Sequence, residues 1–172
     1  MAFLVNEGEP DDRQAIRLAT RQNTWIPNIR RQPRPPGSMS AALAMLMAAH
    51  RQWKNRSLDS VYNCMGMVFG ARRTCIDPDQ FGLIVKEDGY RQLAGAEEPV
   101  PGDIIVYRKG TGEVAHIGLL VEVHRDLIAA IWKMRVLSQF GFDGEYFHDA
   151  DDLPAMLDFS RRLTSELWTD RK

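Results

Sequence analysis

Between Gly102 and Phe140 the chain passes through three β-type segments, GDIIVYRK, EVAHIGLLVEVHR and LIAAIWKMRVLSQF. Only a GTG turn and a short turn near Asp126 separate them. Connections this short cannot return a chain to the start of a parallel strand, which takes about a dozen residues. The three segments are therefore expected to be consecutive antiparallel neighbours. Alternation along the third puts Trp132, Met134, Val136 and Ser138 on one face, and Lys133, Arg135, Leu137 and Gln139 on the other.

The residues before this meander follow helical patterns. DDRQAIRLATRQN reads as a short surface helix with Asp11 or Asp12 near its N-cap. WIPNIRRQPRPPG is a basic, proline-broken connector, expected to wrap the domain through Trp25, Ile26 and Ile29. Ser38 is placed to cap a helix through MSAALAMLMAAHRQW, whose alanines and methionines suggest tight burial. A loop, KNRSLDS, leads to VYNCMGMVFGARR, expected to be helical from about Asn63 to Phe69. In CIDPDQFGLIVKEDGY, Asp77 is an N-cap, Pro78 the first helical residue and Gly89 a stop. DADDLPAMLDFSRRL is read as helical again. Helices followed by an antiparallel meander make an α+β domain.

A chain of 172 residues suits one domain. It divides into an N-terminal helix and connector (1–37), a core (38–159) and a C-terminal tail (160–172). A net charge of −1 gives no general attraction to nucleic acid or to an acidic membrane, although arginines crowd the first third. MSAALAMLMAAH is shorter than the roughly 20 residues of a membrane helix. The first residues lack the basic start and long apolar run of a signal peptide, so the cytoplasm is the default location, with signal-less secretion as an alternative. Two cysteines without a Cys-x-x-Cys pattern, and four scattered histidines, suggest neither a disulfide framework nor zinc, and no cofactor is expected.

Cys64 and His116 are the residues with chemistry to offer. A thiol becomes a nucleophile on ionising, and a helix N-terminus favours the thiolate through its N–H groups and dipole. Asn63-Cys64 at the head of MGMVFG fits that setting, and Gly66 would allow a strand or a substrate close approach. His116, at the start of an apolar strand after a hairpin turn, is the candidate base for a Cys–His pair. The bland reading of Cys64 is a buried thiol, and of His116 a satisfied strand-end histidine. Cys75 reads as structural, His50 as a helix-end cation and His124 as solvated at a turn. Arg72 and Arg73 either meet a substrate carboxylate or face solvent.

The order NCMGMVFG, then PVPGDIIVYRKGTGEVAHIGLLVEV, resembles the papain-like superfamily of NlpC-type cell-wall peptidases and CHAP amidases over about residues 60 to 141. In that superfamily a DCSGLV-like helix start carries the cysteine, and a pGDlvvf strand and an HvGiyv strand follow. Pro101-Gly102-Asp103 and His116-Ile117-Gly118 match those strands. The resemblance implies a papain-like fold and a bacterial cysteine hydrolase cleaving an amide bond in a peptide or peptidoglycan stem. Cys64 would attack, and His116 would move the proton.

A polar residue on the following strand usually orients the imidazole. Ser138, ending the more apolar face, fills that role here, with Gln139 close behind and His148 a lesser candidate lining the cleft. In papain a glutamine six positions before the cysteine supports the oxyanion; Leu58 stands there in this chain, leaving the Cys64 N–H and a second donor, for which Tyr62 is a candidate. Two other readings share the scaffold: a catalytically silent binding module, and a thiol acyltransferase.

Overall fold

The computed structural model describes residues 15–95, 97–153 and 163–172. In chain order the elements are β1 (Asn28–Ile29), α1 (Pro36–Ala49), β2 (Lys54–Ser57), α2 (Cys64–Phe69), β3 (Cys75–Ile76) and α3 (Phe81–Asp88). They continue with β4 (Arg91–Gln92), β5 (Ile104–Arg108), β6 (Val114–Asp126), β7 (Ile131–Gln139), β8 (Glu145–Asp149) and β9 (Thr164–Thr169). The architecture is α+β, with antiparallel pairing throughout.

The meander forms as its short turns require: β5, β6 and β7 are consecutive antiparallel neighbours. The Asp126 carboxylate closes the second turn by accepting from the Ile128 and Ala129 N–H groups, each at 3.0 Å. The sheet extends well beyond the meander, in the order β2-β8-β7-β6-β5-β9-β4. Residues 164–169, expected to be tail, form the strand between β5 and β4. Their TSELWT pattern has little apolar alternation, and they are held by pairing with β5 and an Arg108–Glu166 ion pair at 2.6 Å. KNRS, expected as loop, is the edge strand β2, and EYFHD forms β8.

Two apolar layers sandwich the sheet. Ile104, Val106, Ile117 and Leu119 point to α2 and α3, packing on Met65, Phe81 and Ile84. Ile105, Tyr107, Leu120 and Val136 point the other way, toward Trp53, Phe140 and Tyr146, with Leu43, Leu46 and Met47 of α1 at the margin. The α3 turn is built as its sequence dictates. Asp77 caps a 3-10 turn (Pro78–Gln80) through the Asp79 N–H, and Gly89 ends the helix at φ 77°.

Two helix expectations need correction. Residues 15–23 are not helical; a turn at Thr20–Asn23, with Asn23 at φ 65°, returns the chain to an Ala19–Trp25 bridge. Asp11 and Asp12 lie outside the described residues. The next helix begins at Pro36, so Ser38 sits inside the first turn and bonds back to the Pro35 carbonyl at 2.8 Å instead of capping. This helix is not tightly buried either: Met39 alone among its residues is buried, and Met45 is 62% exposed. The last helix expected from sequence falls mostly on 154–162, outside the described residues; 149–153 end β8 in a turn. The connector does wrap the domain, through buried Ile26 and the β1–β3 pairing, while Trp25 stays exposed.

Candidate functional site

The cysteine helix is anchored by its cap. The Asn63 carbonyl oxygen accepts from the Gly66 N–H at 2.9 Å and from the Ile76 N–H at 3.2 Å, while its amide donates to the Ile76 carbonyl at 2.8 Å. One side chain thus caps α2 and ties it to β3. Gly66 is required for this packing, because a Cβ there would lie 1.7 Å from the Thr74 carbonyl oxygen. The close approach of the chain at Thr74, just before β3, and not a substrate, accounts for the glycine.

Cys64 occupies the first turn of α2, half-buried against the layer that contains Ile117. Burial pushes its thiol pKa up, opposed by backbone hydrogen bonds at Ile117, Met65 and Cys64 itself. The helix-terminal donors expected from sequence are present, yet desolvation outweighs them and keeps the thiol protonated.

His116 lies on the other side of the sheet. In the β5–β6 register Val106 faces Ile117, and Tyr107 faces His116. Alternation then sends Ile117 toward α2 and His116 toward α1. The His116 ring sits 4.8 Å from Phe140 and 6.1 Å from Tyr107, and it is 4% exposed. Its Nε2 is buried without a hydrogen-bond partner among the described residues. Burial lowers its pKa to about 3, with the neighbouring His148 adding to the effect. The expected Cys64–His116 pair is not formed, because a one-residue step along a strand reverses the face.

Ser138 and His148 do come together, and beside His116. The His148 Nδ1 lies 2.9 Å from the Asp149 carbonyl, which can only accept, so Nδ1 carries the proton. Nε2 is left to accept from the Ser138 hydroxyl at 2.7 Å. Ser138 therefore holds the ring of His148, not that of His116. Burial lowers the His148 pKa to about 4, against smaller opposing contributions led by the Asp149 backbone bond. Trp53 lies 5.2 Å from this ring and stacks on His50 at 4.2 Å. Gly118 leaves the room: a Cβ there would meet Val136 at 2.5 Å and Ser138 at 3.1 Å.

The remaining candidates are engaged elsewhere. Gln139 points to the α2 face and donates to the Asp59 and Gly141 carbonyls at 2.9 and 3.2 Å, so it does not orient His116. The Tyr62 hydroxyl donates to Glu145 at 2.8 Å, and burial with that carboxylate pushes its pKa up to about 12. It is committed to Glu145 and not to an oxyanion. Cys75 is buried and donates to the Val61 carbonyl at 3.6 Å; burial raises its thiol to about 11. His124 lies exposed on β6, and Arg73 is exposed.

One cluster had no warning in the sequence. Fully buried Glu145 accepts from Tyr62, from Arg72 at 2.6 Å and from Arg56. Beside it Arg34 pairs with Asp143, and the Arg31 guanidinium stacks 4.0 Å over the Phe142 ring. Four arginines from three distant segments thus gather on the turn before β8. A buried glutamate is legible only through its partners, and these come from up to 89 residues away. Next to them an open groove of about 420 Å³ is lined by Arg30, Pro33, Arg34, Leu58, Asp59, Ser60 and Val61.

Among the described residues no group of three or more His, Cys, Asp or Glu side chains could hold a metal ion, and no helix is long and apolar enough to cross a membrane. Compared with known proteins, the chain matches no family model, no curated protein and no solved structure.

Proposed function

We propose that this chain is a catalytically silent binding module on a papain-like scaffold. The scaffold part rests on the order of motifs: a capped cysteine helix, then a hairpin whose second strand begins with His-Ile-Gly. The silent part is carried by one observation, that Cys64, on α2, and His116, on β6, lie on opposite sides of the sheet. A thiol attack on an amide carbonyl needs a base within hydrogen-bond reach of the sulfur, or a thiolate already formed. Cys64 has a thiol pKa raised by burial, and His116 is held neutral among aromatic rings. The peptide or peptidoglycan-stem hydrolase, and the acyltransferase on the same scaffold, both depend on the missing pair.

Alkylation rates separate these readings. Iodoacetamide labelling, followed site by site by mass spectrometry across pH, should be slow at Cys64 near neutrality and accelerate only above the ordinary thiol range. His116→Phe, which keeps a ring between Tyr107 and Phe140, should leave the Cys64 profile unchanged. Fast labelling of Cys64 below neutral pH that collapses in His116→Phe would restore the hydrolase.

A further inference from the structure

If the chain binds rather than cuts, the groove beside the arginine cluster is where the structure offers a ligand a formed surface. Its two walls are the connector at Arg30–Arg34 and the loop at Leu58–Val61. Both are held in place before anything binds. The Arg31 N–H donates to the Val61 carbonyl at 3.4 Å, and the Arg34 N–H donates to the Ser60 hydroxyl at 2.8 Å. The loop is fixed in turn by Gln139 on the Asp59 carbonyl and by the Asp59 carboxylate on the Val61 N–H at 2.9 Å. Preformed walls lower the ordering cost of association.

The lining is apolar at Pro33, Leu58 and Val61, basic at Arg30 and Arg34, and acidic at Asp59. Arg34, Arg56 and Arg72 are occupied by Asp143 and Glu145, and Arg31 lies over Phe142. Arg30 is exposed and has no ion-pair partner among the described residues. Five guanidiniums here face three carboxylates, those of Asp59, Asp143 and Glu145, so the excess positive charge is small. We infer that the groove binds a short acidic protein segment, one carboxylate pairing with Arg30 and a neighbouring aliphatic side chain resting on Leu58 and Pro33. This rests on the binding-module reading and names the class of its partner.

Charge density selects this ligand over nucleic acid. Duplex DNA carries one negative charge about every 1.7 Å of its axis and is matched by rows of unpaired cations. A surface whose arginines are mostly spent on its own carboxylates matches one or two carboxylates instead. The apolar part of the lining likewise suits an aliphatic side chain, and base stacking would call for exposed aromatic rings.

Fluorescence anisotropy with a fluorescein-labelled Asp-Leu-Glu-Leu-Asp-Leu peptide tests the assignment on the full chain. Saturable binding that weakens with salt is expected, with no binding of the same peptide carrying Lys at its acidic positions. Arg30→Glu should weaken it about tenfold or more, the scale of one charge-assisted contact reversed. Leu58→Asp should weaken it as well; both positions are exposed, so the fold is preserved. The proposal is overturned if the acidic peptide does not saturate, if neither variant moves its affinity, or if a labelled oligothymidylate binds more tightly. Cys64 alkylation on the same samples keeps the two questions apart. Inert Cys64 without peptide binding removes only the acidic ligand, whereas an activated Cys64 removes the binding module itself.

Discussion

The two faces of the seven-stranded sheet bury similar apolar layers, yet they bury different polar groups: a carboxylate held by arginines on one, two neutral imidazoles on the other. On the α2 face Asn63 completes α2 and β3, Glu145 collects Tyr62, Arg56 and Arg72, and Gln139 donates to two carbonyls while its buried Oε1 has no partner among the described residues. On the α1 face two imidazoles are buried among aromatic rings, His148 against Trp53 and His116 against Phe140, and Nε2 of His116 has no hydrogen-bond partner among the described residues. A thiol on one face and a base on the other cannot cooperate. The contrast teaches that a motif's residue order does not ensure its chemistry, because the pleat decides which side receives each side chain.

Four measurements can break or sharpen that contrast. The largest effect is expected on the α1 face, where Trp53→Ala removes the ring that packs on His50, Phe140 and His148. A loss of about 3–5 kcal/mol in urea unfolding is expected; a loss below 1 kcal/mol would mean that this face is not a cooperative part of the core. Gly66→Ala attacks the α2 face, pressing a methyl into the Thr74 carbonyl. It should cost about 3 kcal/mol, since backbone cannot yield as a side-chain tip can. Near-neutral behaviour there would refute the α2–β3 contact.

Ser138→Ala is smaller. It leaves the buried His148 Nε2 without a donor and should cost about 1–2 kcal/mol, read from the same unfolding curves. His148→Leu should make that loss disappear in the double variant, because no ring nitrogen is then stranded.

The smallest expected effect is the pH dependence. His116 and His148 have folded pKa values of about 3 and about 4, below the 6.5 of a free imidazole. The unfolded chain therefore takes up protons first, so stability is full above about 6.5 and falls as pH drops toward 4. From pH 7.5 to 6.0 each ring should cost roughly 0.8 kcal/mol. His116→Leu should flatten this slope by half, while Cys64→Ser should leave it untouched. A slope unaltered by His116→Leu would show that this ring is not held neutral.

Local chemistry was readable where it depends on neighbours in the chain. Asn63, Asp77 and Gly89 announce helix ends, and the structure places each at one. The β5–β6–β7 meander follows from its turns alone. Strands β2, β8 and β9 were not readable, because KNRS, EYFHD and TSELWT carry little alternation and form by pairing with distant partners. The same holds for α1, whose apolar composition suggests burial but whose exposure depends on what lies across it.

The sequence by itself determined the antiparallel sense of the central strands, the cap and position of the cysteine helix, and the grouping of Val136 with Ser138 on one strand face. These are consequences of turn length, side-chain capping and the two-residue pleat, all of which act within a few residues. Only the tertiary structure decided which helix covers which face, and hence that α2 meets Ile117 while Trp53 and α1 lie over the face of His116. That choice is made by the packing of segments far apart in the chain, and it turns on a single step between His116 and Ile117.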